Sequence, residues 1–159
     1  MENLLDYVSR AGAAGFDELP LTEVDLACFT QLSYLPYAAA FETMDRPSLR
    51  EAGDALAGVE ADKVYNIFLR KRLELMRAMM EAPRYAEIIL SDYIREIDPE
   101  SEKQFCALTL TLPRGERVIS FEGTDSTLVG WKEDFNMSFV SPVPAQEAAR
   151  DYLHRIAAG

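Results

Sequence analysis

The stretch QFCALTLTLPRGERVISFE, residues 104–122, decides the fold class of this chain. Along residues 104–112 an apolar face (Cys106, Leu108, Leu110 and Leu112) alternates with a mixed face (Phe105, Ala107, Thr109 and Thr111). This period of two residues is that of a β-strand. Residues 113–115 (Pro-Arg-Gly) are typical of a turn, because proline presets φ and glycine can take positive φ. Residues 117–122 predict a second strand. It is nearly all apolar, as expected of a strand covered on both faces.

The segments on either side extend this hairpin into a small sheet. Residues 92–98 alternate loosely and predict a preceding strand, so the sheet is an antiparallel meander over about 92–122. Residues 1–90 are rich in helical patterns. We therefore expect an α/β fold in one domain, residues 1–159, with a helix-rich half and a small sheet covered by helices.

Apolar residues at helical spacing mark several helices. The predicted helices are residues 1–10, 22–35, 61–81, 127–139 and about 145–156, with shorter ones from Pro47 to about Leu56 and from Pro83 to about Leu90. Residues 36–47 are predicted to be a linker. Thr22 is the expected N-cap of its helix, with Asp25 completing a capping box in place of the usual glutamate.

The stripe on the helix of residues 61–81 is predicted to be core. Its members are Tyr65, Phe68, Leu69, Leu73, Met76 and Met80. Methionine-rich faces also serve as adaptable binding surfaces, but a packed helix with a solvated back is the simpler interpretation.

Composition excludes several classes of partner. The chain has 159 residues, 48% of them hydrophobic, and a net charge of −11. This acidity argues against nucleic acid and anionic membranes as partners. No apolar stretch reaches membrane-spanning length and the first residues do not resemble a signal peptide, so we expect a soluble, cytoplasmic protein without membrane insertion. Cys28 and Cys106 lie among apolar residues and are predicted to be buried free thiols.

The end of the second hairpin strand is the candidate site. Gly123 allows a sharp turn and close approach of a ligand. Thr124 offers a hydroxyl and a backbone N–H, and Asp125, Ser126 or Thr127 can cap a following helix. Such a group can stabilise an oxyanion or hold a phosphate. The simpler alternative is a strand–turn–helix connection with a good N-cap.

Three segments carry a resemblance to a known family. They are LLDYV (residues 4–8), LTEVDLACFTQLSYL (21–35) and FEGTDSTLVGWKEDFNMSF…PVPAQ (121–146). They resemble the bacterial Mbeg-like, lipase-like family of unknown function, which is similar to the fungal-type lipases among the α/β-hydrolases. The resemblance implies a partial α/β-hydrolase fold.

The same resemblance implies an oxyanion-hole role for Thr124, with Gly123 providing close approach. One position departs from the family pattern, because Glu122 stands where arginine is usual. An anion beside an oxyanion site opposes negative charge there, unless the side chain points away.

The sequence lacks the rest of a hydrolase site. No G-x-S-x-G nucleophile elbow occurs in these 159 residues. The resemblance implies that the elbow follows the helix ending near Gly159. His154 lies opposite the apolar stripe of that helix and is predicted to be solvated. We therefore expect the N-terminal part of a serine hydrolase for esters or lipids, inactive as this chain alone.

Two alternatives remain open. A non-catalytic interaction module derived from a hydrolase fold would self-associate through the exposed edge of the strand at residues 117–122. An acid-rich metal or phosphoryl site on Glu122 and Asp125 ranks last, because convergent oxygen ligands are not evident. Glu133 and Asp134 are expected on a solvated helix face. Neither Walker nor dinucleotide glycine fingerprints occur, so no cofactor and no bound metal are expected.

Overall fold

The predicted antiparallel meander is confirmed. The computed structural model describes residues 2–57, 67–98, 100, 103–123, 139 and 141–158. Its sheet has three strands in the order β1 (Ile89–Asp98), β2 (Lys103–Thr111) and β3 (Arg117–Phe121). The turn before β3 is closed by a hydrogen bond from Gly115 N–H to the Leu112 carbonyl (2.8 Å). Gly115 has a φ of +93°, the left-handed region that favours glycine.

Burial on both faces belongs to β2 and not to β3. Six consecutive residues of β2, 105–110, are buried. In β3 only Ser120 is buried, whereas Arg117 and Phe121 are exposed. The prediction that residues 117–122 are covered on both faces was therefore wrong, because the middle strand of a three-stranded sheet lies deepest. β3 is an outer strand of the described sheet, and self-association through it stays a prediction.

The helices follow the predicted pattern with three corrections. They are α1 (Leu4–Ala11), α2 (Glu23–Leu32), α3 (Ala38–Thr43), α4 (Leu49–Leu56), α5 (Ile67–Glu81) and α6 (Pro144–Ala158). The predicted linker at 36–47 contains α3. α4 begins after Ser48 and not at Pro47, because Ser48 and Glu51 form a capping box.

The third correction concerns the short helix predicted from Pro83 to Leu90. Turns occupy this segment, and β1 begins at Ile89. Besides local turn bonds, its backbone is bonded to distant segments: Arg84 N–H donates to the Gly12 carbonyl (2.9 Å), and the Ile88 carbonyl accepts from Leu49 N–H (2.7 Å). Tertiary pairing therefore overrides the proline start signal.

The core face of α5 is rotated from the predicted stripe. Leu73, Leu75, Met76 and Met79 are buried, whereas Phe68 is 66% exposed. The methionine face is core, as predicted. Tyr65 and the rest of residues 61–66 lie outside the described residues, as does the predicted helix at 127–139 apart from Phe139, which lies in a turn.

The chain divides into two compact units. One comprises Met1–Tyr93 and Leu108–Ser120, and the other Ile94–Ala107 and Phe121–Gly159. The core of the first gathers buried residues of α1, α2, α4, α5, β1 and β2 around Phe29, Leu32 and Leu108. In the second, the rings of Phe105, Phe121 and Tyr152 pack with centroids 5.9–6.2 Å apart.

A buried ion pair lies in the first unit. The Arg84 guanidinium donates two hydrogen bonds to the Asp25 carboxylate, from Nε (3.0 Å) and Nη2 (2.8 Å), and both side chains are fully buried. Asp25 also accepts from the Tyr85 hydroxyl (2.7 Å) and from Thr22 N–H (2.8 Å). The capping box predicted for α2 is thus confirmed, and its acidic member is also the counter-ion of Arg84.

Arg84 is bonded on its remaining side to backbone. Its Nη1 donates to the Leu19 carbonyl (2.7 Å) and its Nη2 to the Pro20 carbonyl (3.2 Å). Its guanidinium carbon lies 4.0 Å from the centre of the Phe16 ring. Every face of this buried cation therefore meets an acceptor or a ring, as a charge removed from water requires.

The Asp25 carboxylate predicts a pH dependence of stability. Burial raises its pKa, but hydrogen bonds from Arg84, Tyr85 and Thr22 outweigh burial and hold the pKa below the ordinary 3.8. A carboxyl group whose pKa is lowered by folding stabilises the folded chain at pH values above its ordinary pKa. This contribution is lost as pH falls through the lowered pKa. Asp25→Asn is expected to lower the free energy of unfolding at neutral pH by about 3–5 kcal/mol, because Arg84 is left without its counter-ion.

Urea unfolding across a pH series tests this prediction. The difference between the wild-type chain and Asp25→Asn should narrow as pH falls below 3.8. Asp54→Asn, at an exposed carboxylate on α4, is the control and should change little. A pH-independent difference would contradict the assignment.

Gly12 predicts a second effect on stability. A Cβ placed on this residue would lie 2.7 Å from Ala82 Cβ, a contact that neither backbone can relieve cheaply. Gly12→Ala is expected to lower the free energy of unfolding by about 1–3 kcal/mol. Gly15→Ala is the matched control, since its Cβ would meet no atom within 4 Å. Equal thermal unfolding temperatures for the two variants would refute the packing argument.

Candidate functional site

The candidate site begins where β3 ends. Phe121 is the last strand residue, and Glu122 and Gly123 follow it. Gly123 is exposed. Thr124 and Asp125, the other two predicted site residues, lie outside the described residues. The described part of the candidate site is therefore the strand end, residues 121–123, with the side chains around it.

Glu122 points inward. Its carboxylate accepts a hydrogen bond from Arg95 Nη1 at 2.8 Å, and its side chain is only 4% exposed. Its backbone N–H donates to the Cys106 carbonyl at 3.0 Å. Arg95 lies on β1, and Glu122 directly follows β3. The Arg95–Glu122 ion pair therefore reaches across β2, the strand between them, which carries Cys106. The negative charge at position 122 is thereby balanced by a cation within the same unit.

The Cys106 thiol lies beside this pair and is buried. Burial, followed by the charge and hydrogen bond of Glu122, raises its pKa to about 12, while Arg95 acts in the opposite direction. Burial and the charge of Asp25 likewise raise the pKa of Cys28 to about 12. Both cysteines are free and buried, as predicted. Because the thiolate is the reactive form, the raised pKa values disfavour nucleophilic attack by either residue near neutral pH.

The opposite face of the strand end is aromatic. The Phe121 ring packs on Tyr152 of α6 with centroids 5.9 Å apart. Tyr152 is buried, and Phe121 is 36% exposed. This contact anchors α6 beside the segment that leads into Gly123.

The remaining site predictions concern acids and the histidine. His154 is exposed on α6, as predicted. Within the described parts of the chain, no group of three or more histidine, cysteine, aspartate or glutamate residues is arranged to hold a metal ion. Of the two acids in the lowest-ranked alternative, Glu122 is paired with Arg95, and Asp125 lies outside the described residues. Glu133 and Asp134 also lie outside the described residues.

Sequence reasoning missed Arg95. The available signal was Glu122 itself, an acid at the end of an apolar strand. The meander places the first strand two positions away, and Arg95 lies on that strand. A search of residues 92–98 for a cation would have found the partner. The loose alternation there gave no reason to search.

Comparison with known proteins assigns the family. The Mbeg1-like family model matches residues 79–159, a range that includes the whole sheet, Arg95, Glu122 and Gly123. The described elements define a mixed α/β protein with a small antiparallel sheet. The chain belongs to the Mbeg1-like family.

Two further comparisons returned no match. Neither a curated protein nor a solved structure matches the chain. Among the helices that the structure describes, none combines the length and apolar character needed to cross a bilayer.

The two thiols give a direct test of this environment. Native protein at pH 8 is expected to react with Ellman's reagent far more slowly than a free thiol, because both thiol pKa values are raised to about 12. The same protein in guanidinium should release two equivalents, one per cysteine. The single variants Cys28→Ser and Cys106→Ser assign any residual reactivity. Rapid native labelling that disappears in Cys106→Ser would contradict the described setting.

Proposed function

We propose that residues 121–125 form the oxyanion side of a lipase-like serine hydrolase site for small esters or lipids. In this proposal Thr124 donates its backbone N–H and hydroxyl to the developing oxyanion. Gly123 lets the substrate carbonyl approach the backbone closely. In the same proposal Asp125 caps the helix predicted from the sequence at residues 127–139. The nucleophile and its acid–base partners come from sequence outside these 159 residues.

The observation that carries the proposal is the Arg95–Glu122 pair. A free carboxylate one residue before Gly123 would raise the energy of an oxyanion nearby. The 2.8 Å hydrogen bond from Arg95 balances that charge, and only 4% of the Glu122 side chain is exposed. This pairing supports an oxyanion site at the strand end despite the departure from the family arginine.

The chemistry follows from preorganisation. When a serine attacks an ester carbonyl, negative charge develops on the carbonyl oxygen, and donors already aimed at that position stabilise it without reorganisation. A strand end held by Arg95 on one face and Tyr152 on the other is suited to fixed donors. Loss of one such donor costs about 10²–10³ in kcat.

The first test uses the chain of these 159 residues. It is expected to hydrolyse p-nitrophenyl butyrate no faster than buffer, since the sequence has no G-x-S-x-G. Clear turnover that Thr124→Val abolishes would overturn the prediction that the nucleophile lies elsewhere.

The second test uses the full gene product. Thr124→Val is expected to lower kcat about 10²–10³-fold with a smaller effect on KM, and Thr124→Ser should retain most of the activity. Thr30→Val, at an exposed threonine of α2, is the matched control. Unchanged kcat in Thr124→Val, or a full gene product without esterase activity, would contradict the proposal.

A further inference from the structure

A second candidate site lies in the first compact unit, among elements with no part in the proposed hydrolase site. α1, α2 and α5 line a half-open cavity of about 310 Å³. The volume lies at the lower end of the range for small-molecule sites. Its apolar lining comes from the first turn of α1 and from α5, and consists of Leu4, Leu5, Phe68 and Leu75.

The polar part of the lining contains a guanidinium that the protein holds in place. Arg72 Nε donates to Gln31 Oε1 at 3.2 Å. The guanidinium carbon lies 3.8 Å from the centre of the Tyr34 ring, a stacking contact. Both interactions fix the plane of the group at little further entropic cost. Within the described residues they leave the two terminal nitrogens as donors.

The local charge is opposite to that of the whole chain. Lys71 and Arg72 both line the cavity, although the net charge of the chain is −11. Glu74 is the acid of the lining, and its carboxylate lies 3.8 Å from Arg70 Nε, one turn earlier on α5. The cavity lining therefore combines positive charge with an apolar surface, and this combination complements an anion with an apolar tail.

We propose that this cavity binds the carboxylate of a free fatty-acid anion of medium chain length. The carboxylate accepts two parallel hydrogen bonds from the fork of Arg72. The Lys71 ammonium adds positive charge beside it, and the acyl chain lies on Leu4, Leu5 and Leu75. The small volume favours a medium chain over a long one. This proposal does not depend on hydrolase activity and involves none of residues 121–125.

Calorimetric titration of the 159-residue chain with decanoate, below its micelle concentration, tests the proposal. Saturable binding of one equivalent is expected. Decanol has the same tail without the charge and should bind at least about tenfold more weakly, because the charge-assisted hydrogen bonds to Arg72 are lost. This comparison needs no variant, so it remains decisive if a substitution disturbs folding.

Two variants assign the site. Arg72→Gln is expected to weaken decanoate binding about tenfold, and Lys71→Gln by a smaller factor. Arg77→Gln removes an exposed cation of α5 that does not line the cavity, and it should change the affinity less than about twofold. No saturable binding, equal affinity for decanol, or equal losses in Arg72→Gln and Arg77→Gln would each overturn the proposal.

Discussion

The buried ion pair of Asp25 and Arg84 is the constraint on which the first compact unit depends. Two parallel hydrogen bonds join the side chains, which lie 59 positions apart in the sequence and are fully buried. Arg84 also donates to backbone carbonyls of the loop between α1 and α2, and its own N–H bonds Gly12. One residue thus fixes the end of α1, the start of α2 and the turn before β1. Removing two charges from water costs several kcal/mol each, so the pair is stable only because this geometry supplies every partner.

The second ion pair follows the same physical rule in the other unit. Glu122 is nearly as buried as Asp25, and Arg95 is its cation, with a side chain that is 34% exposed. Each pair places an acid at the boundary of an element: Asp25 in the first turn of α2, and Glu122 just after β3. The Asp25 carboxylate accepts from both a distant cation, Arg84, and the nearby N–H of Thr22. The Glu122 carboxylate accepts from Arg95, and the Glu122 backbone N–H donates to the Cys106 carbonyl. These two bonds fix the residue that directly precedes Gly123.

Local sequence signals predicted local structure well. The alternation at 104–112 and the Pro-Arg-Gly turn gave the hairpin, because the strand period and turn chemistry are encoded within a few residues. Thr22 and Asp25 gave the start of α2 for the same reason. Long-range partners left no such signal. Pro83 suggested a helix start, whereas the segment is held by bonds from Arg84 to a loop 65 residues earlier. Phe68 fitted the stripe of α5 by spacing, yet it is exposed, since the neighbouring helices meet α5 on a different face.

The candidate site divides in the same way. Gly123 follows a strand whose position the sequence predicted, and the resemblance supplied the role proposed for Thr124. The neutralisation of Glu122 by Arg95 was not predictable locally, because it needs the order of three strands. The cavity lined by Arg72 was likewise not predictable locally, since its cation lies on α5, its hydrogen-bond acceptor Gln31 on α2 and its stacking ring Tyr34 in the turn after α2.

A double-mutant cycle on Asp25 and Arg84 tests the central claim most directly. Asp25→Leu, Arg84→Met and the double variant would be compared with the wild-type chain by urea unfolding at pH 7. Each single variant leaves one buried charge without its partner, whereas the double variant leaves none. The account predicts that the double variant loses less free energy of unfolding than the sum of the single losses, by about 2–3 kcal/mol. Losses that add within about 0.5 kcal/mol would contradict it, because they would show that the two side chains stabilise the fold independently.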